Sequence, residues 1–479
     1  MKKKCVAMML IAIMTASLAG CGSSKDGSGK SVKLDPDHPV SLTIWHYYNG
    51  AQQAMFDTLV KEFNSSIGKE EGIYVESYSQ GSVSDLEEAV NSSLNGEVGA
   101  EELPDIFSSY SDTAYAVQKQ DKLADLSVYF TEDELSRYVD SYIQEGYFNQ
   151  DGALYLFPVA KSTEITMINK TDWEPFAEAT GTTVDELATT EGITEVAQRY
   201  YEWTDEQTPD VPDDGKAFYG RDSIGMKQMG KEIFQVKDGK MTLNTDEDLI
   251  RRLWDNYYVP YMKGYFASLG KFRSDDVKTG DILAYTGSTS SAVYFPDTVE
   301  IGNKSYPIDY IVCDSPVMEG GENIKVQQGA GMAVTKSDEE HEYAASVFLK
   351  WFTQKNQNLR FVCESSYMPV LKEANSVDAL DSVIKENNIE VNQKVYDCFT
   401  TEMEDFDKTS FYTIGAFDNS YSARKILDYS LADKAKADKD AMDAAIADGE
   451  SREEALAQYL TDENFQSWYT EFCHSLECI

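Results

Sequence analysis

Positive charge is scarce in this chain. Its 479 residues hold 42 Lys and Arg against 83 Asp and Glu, a formal charge of −41. Nucleic-acid binders neutralise phosphates with clustered bases, so that class is excluded. Adhesion to anionic membrane through surface charge is disfavoured for the same reason. Histidine numbers four, and His341-Glu342 lacks the second His of a zinc-protease helix. Cysteine numbers seven. Cys313, Cys363, Cys398, Cys473 and Cys478 lie in the body, too few for a disulfide scaffold. The Cys473-His474 and Cys478 spacing matches no zinc pattern, so buried thiols or one local disulfide are expected there, and no metal. No apolar run reaches the ~18 residues of a membrane-spanning helix. There is no Gly-x-Ser-x-Gly elbow for a hydrolase nucleophile. Gly225 to Gly230-Lys231 imitates a phosphate loop, but Glu232 stands where Ser or Thr must hold magnesium. Gly329-Ala330-Gly331 lacks the third Gly of a dinucleotide fingerprint. No cofactor is expected.

Apolar and aromatic residues are plentiful, at 42% and 12%, with 30 Tyr. That composition builds cores and is foreign to disordered acidic tails. The length allows roughly two to four domains.

The N-terminus reads as an address. Lys2-Lys3-Lys4 is followed by an uncharged apolar run over 6–17, then Leu18-Ala19-Gly20-Cys21. The run is the length of a signal-peptide core. Residues 22–37 are rich in Gly, Ser, Lys and Asp and read as a flexible tether.

The body alternates strands and helices. Leu42 and Ile44 alternate in a strand over 40–45. Met55, Leu59 and Phe63, with Phe56 and Val60, mark one face of a helix. Residues 73–75 read as a second strand, Ser84 and Glu87 as a capping box opening a helix, and 104–107 as a third strand. This order predicts a largely parallel sheet whose ligands sit at the carboxyl ends of its strands. Those ends are His46-Tyr47-Tyr48-Asn49, Gln80-Gly81-Ser82 and Ser109-Tyr110-Ser111-Asp112. Two strand-like runs flank Lys161-Ser162-Thr163-Glu164. Residues 171–215 read as mainly helical, and 281–285 as a strand leading into Ser288-Thr289-Ser290-Ser291. Ser337 and Glu340 read as a second capping box, before an apolar stripe that includes Trp351. Trp45 and Trp351 belong to the core on their periodicity. Residues 430–472 have helical spacing and predict a C-terminal helical cover.

The order of these segments resembles the large extracytoplasmic solute-binding proteins of bacterial ABC importers, the type that includes maltose-binding protein. The resemblance rests on Leu42-Thr43-Ile44-Trp45, Leu103-Pro104-Asp105-Ile106-Phe107, the stretch from Phe157-Pro158 through Ser162-Thr163-Glu164 to Asn169-Lys170, Gln328 to Lys336, and Ser366-Tyr367-Met368-Pro369-Val370. Leu18-Ala19-Gly20-Cys21 resembles the lipobox of bacterial lipoproteins. Two acyl chains on Cys21, at ~0.8 kcal/mol per buried methylene, would anchor the chain stably. Ser366 replaces the family's usual Gly, the Trp common after the segment like 285–291 is absent, and 430–472 matches no part of the family.

The resemblance implies an α/β, two-lobed periplasmic-binding-protein-like fold, each lobe a mostly parallel sheet flanked by helices. The expected layout is a signal peptide at 1–20, a lipidated tether at 21–38, lobe 1 at 39–160 and 317–354, and lobe 2 at 161–316 and 355–479. Expected ligand-binding residues are Tyr47, Tyr48, Asn49, Tyr110, Asp112, Ser162, Thr163, Glu164, Ser288, Thr289, Ser290, Gln328 and Tyr367. Tyr219, Arg221 and Asp222 form a polar-aromatic knot better read as a structural ion pair. Expected partners are a small solute, in first place a sugar or oligosaccharide, permease subunits, and the bilayer through Cys21, with the protein itself monomeric. Tyr47→Ala and Ser162→Ala are then expected to weaken solute binding and leave melting nearly unchanged. Two alternatives stand beside this reading: a lipid-anchored glycoside-processing enzyme, and a binder of a phosphorylated solute such as a glycerol phosphate.

Overall fold

The computed structural model describes residues 29–148, 152–221, 231, 233–237, 240–404 and 406–479. The signal segment, Cys21, Asp222 and the glycines at 225–230 lie outside the described residues.

The first lobe is built on Val40–His46. Its Leu42 and Ile44 are fully buried. It runs parallel to Ile73–Ser79 on one side and Ile106–Ser109 on the other. Gly331–Val334 closes that edge, antiparallel to Ile106–Ser109. The helix Gly50–Ser65 lays Phe56, Leu59, Val60 and Phe63 on the sheet; Met55, expected among them, is only half-buried. The next helix, Val83–Asn95, opens on a capping box of Ser82 and Asp85. Ser84 and Glu87 match the same pattern, but the chain leaves its extended conformation two residues earlier, so Ser82 receives the free amide. Likewise Asp338, and not Ser337, caps the helix Glu339–Phe352.

The tether is shorter than expected. Residues 30–38 lie on the first lobe, where Leu34 is buried in the core with Val32 against it. The Lys30 amide donates to the Val128 carbonyl at 2.7 Å. Two aliphatic side chains in a polar stretch are enough to dock it. The approach needs Gly72, whose φ is 77°. A Cβ there would lie 2.7 Å from the Asp35 carbonyl oxygen, so glycine serves both the left-handed turn and the contact.

The second lobe's sheet has the order Tyr310–Asp314, Glu164–Asn169, Ala284–Ser288, Tyr219–Arg221. Its first two pairings are antiparallel and only the last is parallel. The expected mostly parallel sheet is therefore corrected for this lobe. The reason is the route of the chain. Glu164–Asn169 leads away from the crossing between the lobes, whereas Ala284–Ser288 and Tyr310–Asp314 both run back toward it. Behind this sheet lie Trp173, Phe176, Phe218 and Trp254, covered by the C-terminal helices. Ser420–Ala447 contributes Ala423, Leu431, Ala435 and Met442. Asp462–Glu477 contributes Phe465, Trp468, Phe472 and Leu476. The cover is thus helical as expected, but it begins ahead of residue 430.

The boundary after residue 354 is also corrected. Leu359, Phe361 and Val362 of the helix Lys355–Ser365, and Leu380 and Val383 of Val377–Asn387, join the first core. The chain folds straight back after Glu339–Phe352, and buried Asn358 fixes the turn. Its amide donates to the Val159 carbonyl at 2.7 Å and accepts from the Val370 amide at 3.0 Å.

Candidate functional site

Three segments cross between the lobes side by side. Ser162 pairs with Gln328, and Lys161 with Met368. The site gathers around this crossing, at the carboxyl end of the first strand.

Tyr47 and Tyr48 follow the strand's last residue, His46, with their rings 5.2 Å apart. The Tyr47 hydroxyl meets that of Tyr367 at 3.1 Å and accepts from the Ala330 amide at 3.4 Å. Tyr48 packs under them, its ring 6.4 Å from Tyr367 and 5.1 Å from Phe361. Ser290 of the second lobe stands close enough to the Tyr367 hydroxyl to ease its ionisation slightly against the effect of burial. Tyr110 stands close enough to Tyr47 for Tyr47 to disfavour its ionisation. Burial pushes the hydroxyls of Tyr47, Tyr48, Tyr110 and Tyr367 well above their ordinary values. All four are neutral phenols that can donate or accept, with ring faces suited to apolar surfaces.

The remaining expected residues divide. Ser288, Thr289 and Ser290 form a turn stabilised by their own hydroxyls, Ser288 to Ser290 at 2.9 Å. The Thr289 amide donates to the Thr163 carbonyl at 2.8 Å, and that amide contact seals the two strands. Thr163 is fully buried, and its hydroxyl has no hydrogen-bond partner among the described residues. Gln328 and Ser162 exchange backbone hydrogen bonds at 2.8 and 3.0 Å. Asn49 is exposed at the start of the helix Gly50–Ser65 and makes no side-chain cap bond. Asp112 and Glu164 are buried in ion pairs: Asp112 with Arg424 at 2.9 Å, Glu164 with Arg221 at 3.3 Å. The Arg221 contact agrees with the structural ion pair expected of it; Asp222 lies outside the described residues.

Sequence reasoning missed Arg424 and left Lys161, part of the crossing run, without its partners. Arg424 reaches the site from the C-terminal helix, 312 residues from Asp112. Lys161 sits beneath the crossing, with its ammonium on Glu145 and on the Gly329 carbonyl at 2.8 Å. Gln327 donates to the same Glu145 oxygen at 2.6 Å. Among the described residues, Lys161, Arg221 and Arg424 are each matched to a carboxylate. Among the described residues, no cluster of His, Cys, Asp and Glu has the geometry to hold a metal ion. The five described cysteines are free thiols.

Tyr47 also corrects an expectation. It is 9% exposed and belongs to the first core. Removing such a ring costs about 3–5 kcal/mol, so Tyr47→Ala would lower melting as well as binding. Tyr47→Phe removes only the hydroxyl.

Residues 58–389 match the family of bacterial extracellular solute-binding proteins. No curated protein sequence matches the chain. Among solved structures, it is similar to the cyclic α-maltosyl-1,6-maltose binding protein of Arthrobacter globiformis, with 17% identity and TM-score 0.57, over 90% of this chain and 100% of that one. It is similar to the substrate-binding protein Lmo0181 of Listeria monocytogenes, solved with cycloalternan, at 16% identity and TM-score 0.62 over 92% and 99%. UgpB of Mycobacterium tuberculosis, solved with glycerophosphocholine, gives 17% and 0.62 over 92% and 98%. Identities this low speak for the fold alone.

Proposed function

The chain belongs to the bacterial extracellular solute-binding proteins, and from that premise we propose that it captures a neutral carbohydrate between its lobes and delivers it to an ABC permease. The observation that carries this is the cluster of Tyr47, Tyr48, Tyr110 and Tyr367 with Ser290 across the crossing. Phenol and serine hydroxyls exchange hydrogen bonds with sugar hydroxyls, and tyrosine faces pack on the CH surfaces of rings. Micromolar capture needs about −8 kcal/mol, within reach of a few such contacts. Closure of two lobes over the solute is a two-state hinge that the solute biases by touching both sides.

The pairing of the described bases favours a sugar over a phosphate. A phosphorylated solute needs unpaired cations, and Lys161, Arg221 and Arg424 are each committed to a carboxylate. Binding of a glycerophosphate ester by one similar protein therefore does not carry over. The same pairing speaks against a glycosidase, whose acid must be free to give its proton to the leaving oxygen.

The test is titration of purified protein against a panel of neutral oligosaccharides. Tyr47→Phe and Ser290→Ala are each expected to weaken the best ligand about five- to tenfold, the value of a hydrogen bond or slightly more. Melting should shift little. Unchanged affinity in both variants would remove this site, and turnover of the sugar would favour the enzyme.

No described helix is long and apolar enough to cross a membrane. The family match and the Leu18-Ala19-Gly20-Cys21 motif support a protein outside the cytoplasm, held by a diacylglyceryl group on Cys21, which lies outside the described residues. Cys21→Ser is expected to abolish incorporation of labelled palmitate and release the protein into the medium. Retention of label in that variant would end the lipid-anchor reading.

A further inference from the structure

The C-terminal helix Ser420–Ala447 is fixed to the second lobe: Ala423, Leu431 and Ala435 are buried in its core. One turn from its start, Arg424 leaves that lobe. Its Nε donates to Asp112 Oδ2 at 2.9 Å and its Nη2 to Glu87 Oε1 at 3.4 Å. Both acceptors belong to the first lobe. Asp112 opens the helix Ser111–Gln118, whose Ala114 and Val117 lie in the first core. Glu87 lies on Val83–Asn95, beside buried Leu86 and Val90. The guanidinium also lies over two rings, 5.3 Å from Tyr110 of the site and 5.4 Å from Tyr421 of its own helix. Residue 424 lies beyond the stretch 58–389 that matches the family.

We propose that Arg424 is a positioning residue for solute capture: from the C-terminal helix it clamps Asp112 and Glu87 and holds the two lobes together over the site. The physics favours a latch. Asp112 and Glu87 are only 8% and 7% exposed. Two buried carboxylates side by side repel, and the Arg fork is what makes their proximity tolerable. When the lobes part, the carboxylates stay with one lobe and the guanidinium with the other, and water takes up all three charges. The latch therefore acts on the open–closed equilibrium rather than on either core. It also holds Tyr110 against its stacked cation. The outer pair, Lys119 with Asp418 at 2.6 Å, lies in the same seam but is about half-exposed on both sides, so it adds little.

The role in affinity rests on the solute-binding reading; the role in lobe separation does not. The experiment reads both. Fluorophores are placed through non-natural amino acids at exposed Tyr78 and Ile301, one on each lobe, in the full chain held in detergent. In ligand-free protein, Arg424→Gln is expected to increase the separation. Wild type should open in the same way at about 1 M sodium chloride, where the screening length falls to about 3 Å. The variant, already unlatched, should not respond to salt. Glu87→Gln should lie between, and it carries the test if Arg424→Gln does not fold. With maltotriose as the probe, Arg424→Gln should bind about fivefold more weakly at low salt and equally at high salt. Separation that is identical in wild type and both variants at both salt concentrations would overturn the latch. A latch response without maltotriose binding leaves the latch standing and counts against the carbohydrate.

Discussion

Lys161→Met is expected to lower the stability of the folded chain by about 3–5 kcal/mol, the cost of leaving the partner of a buried pair uncompensated. The Lys161 and Glu145 side chains are 1% and 4% exposed. Methionine fills the space of the aliphatic stem but donates nothing, so two acceptors change at once. Glu145 loses its counter-charge, keeping only the Gln327 amide. The Gly329 carbonyl loses its donor. The effect is concentrated at the hinge, because Lys161 and Gly329 stand on adjacent crossing segments. Glu145→Gln in the Lys161→Met background removes the orphaned charge and leaves an amide that Gln327 can still bond. Most of the loss should then return. Urea unfolding followed by circular dichroism measures both. A single variant that loses less than about 1 kcal/mol, the value of an exposed pair, would show that water reaches Glu145.

Much of this arrangement is legible from the residues. Apolar period and length identify the first sheet and its helices, because Leu42, Ile44, Phe56, Leu59 and Phe63 serve one local surface each. The strand-end loops at 47–49 and 109–112 follow from the rule that α/β ligands gather at carboxyl ends. Legibility stops where a choice depends on distant chain. Ser82–Asp85 and Ser84–Glu87 satisfy the same capping rule, and only the end of the preceding extended segment separates them. The strand direction in the second sheet depends on which way the chain runs relative to the crossing, which no local pattern records. Leu34 and Val32 look like strays in a polar tether until the first lobe offers them a surface. Asp112 is the clearest case. Its place after a strand end reads equally as a helix cap or a ligand contact, and the partner that fixes it, Arg424, stands on a helix whose sequence gives no hint of that contact. The pairing of each base with an acid is likewise invisible in a chain with 83 acids, yet it decides which solutes the site can take.

The pH dependence of stability should hide two opposite contributions, and single variants should expose them. His46 is fully buried at the end of the first strand. Its Nδ1 accepts from the Tyr48 amide at 3.1 Å, and burial lowers its pKa from 6.5 to about 4. A depressed histidine binds protons more readily unfolded than folded, so its contribution is complete above pH 6.5 and shrinks as pH falls toward 4. Glu402 behaves in the reverse sense. Burial outweighs the Lys325 ammonium 2.7 Å away and lifts its carboxyl to about 7. The folded state then holds the proton more tightly, so stability rises as pH drops from 7 toward 4.5. Between about pH 7.5 and about pH 5 each shift amounts to about 2 kcal/mol, at 1.36 kcal/mol per unit. As far as these two groups set it, the wild-type profile is nearly flat. His46→Asn keeps an acceptor for Tyr48 but does not titrate, so this variant should gain about 2 kcal/mol on acidification over that range. Glu402→Gln leaves Lys325 its second partner, Asp314, and should lose a similar amount. Urea midpoints at the two pH values measure both differences. Parallel profiles for wild type and His46→Asn would mean that the imidazole takes up its proton as readily folded as unfolded, and that the Tyr48 amide, and with it the tyrosine cluster, is not held as described.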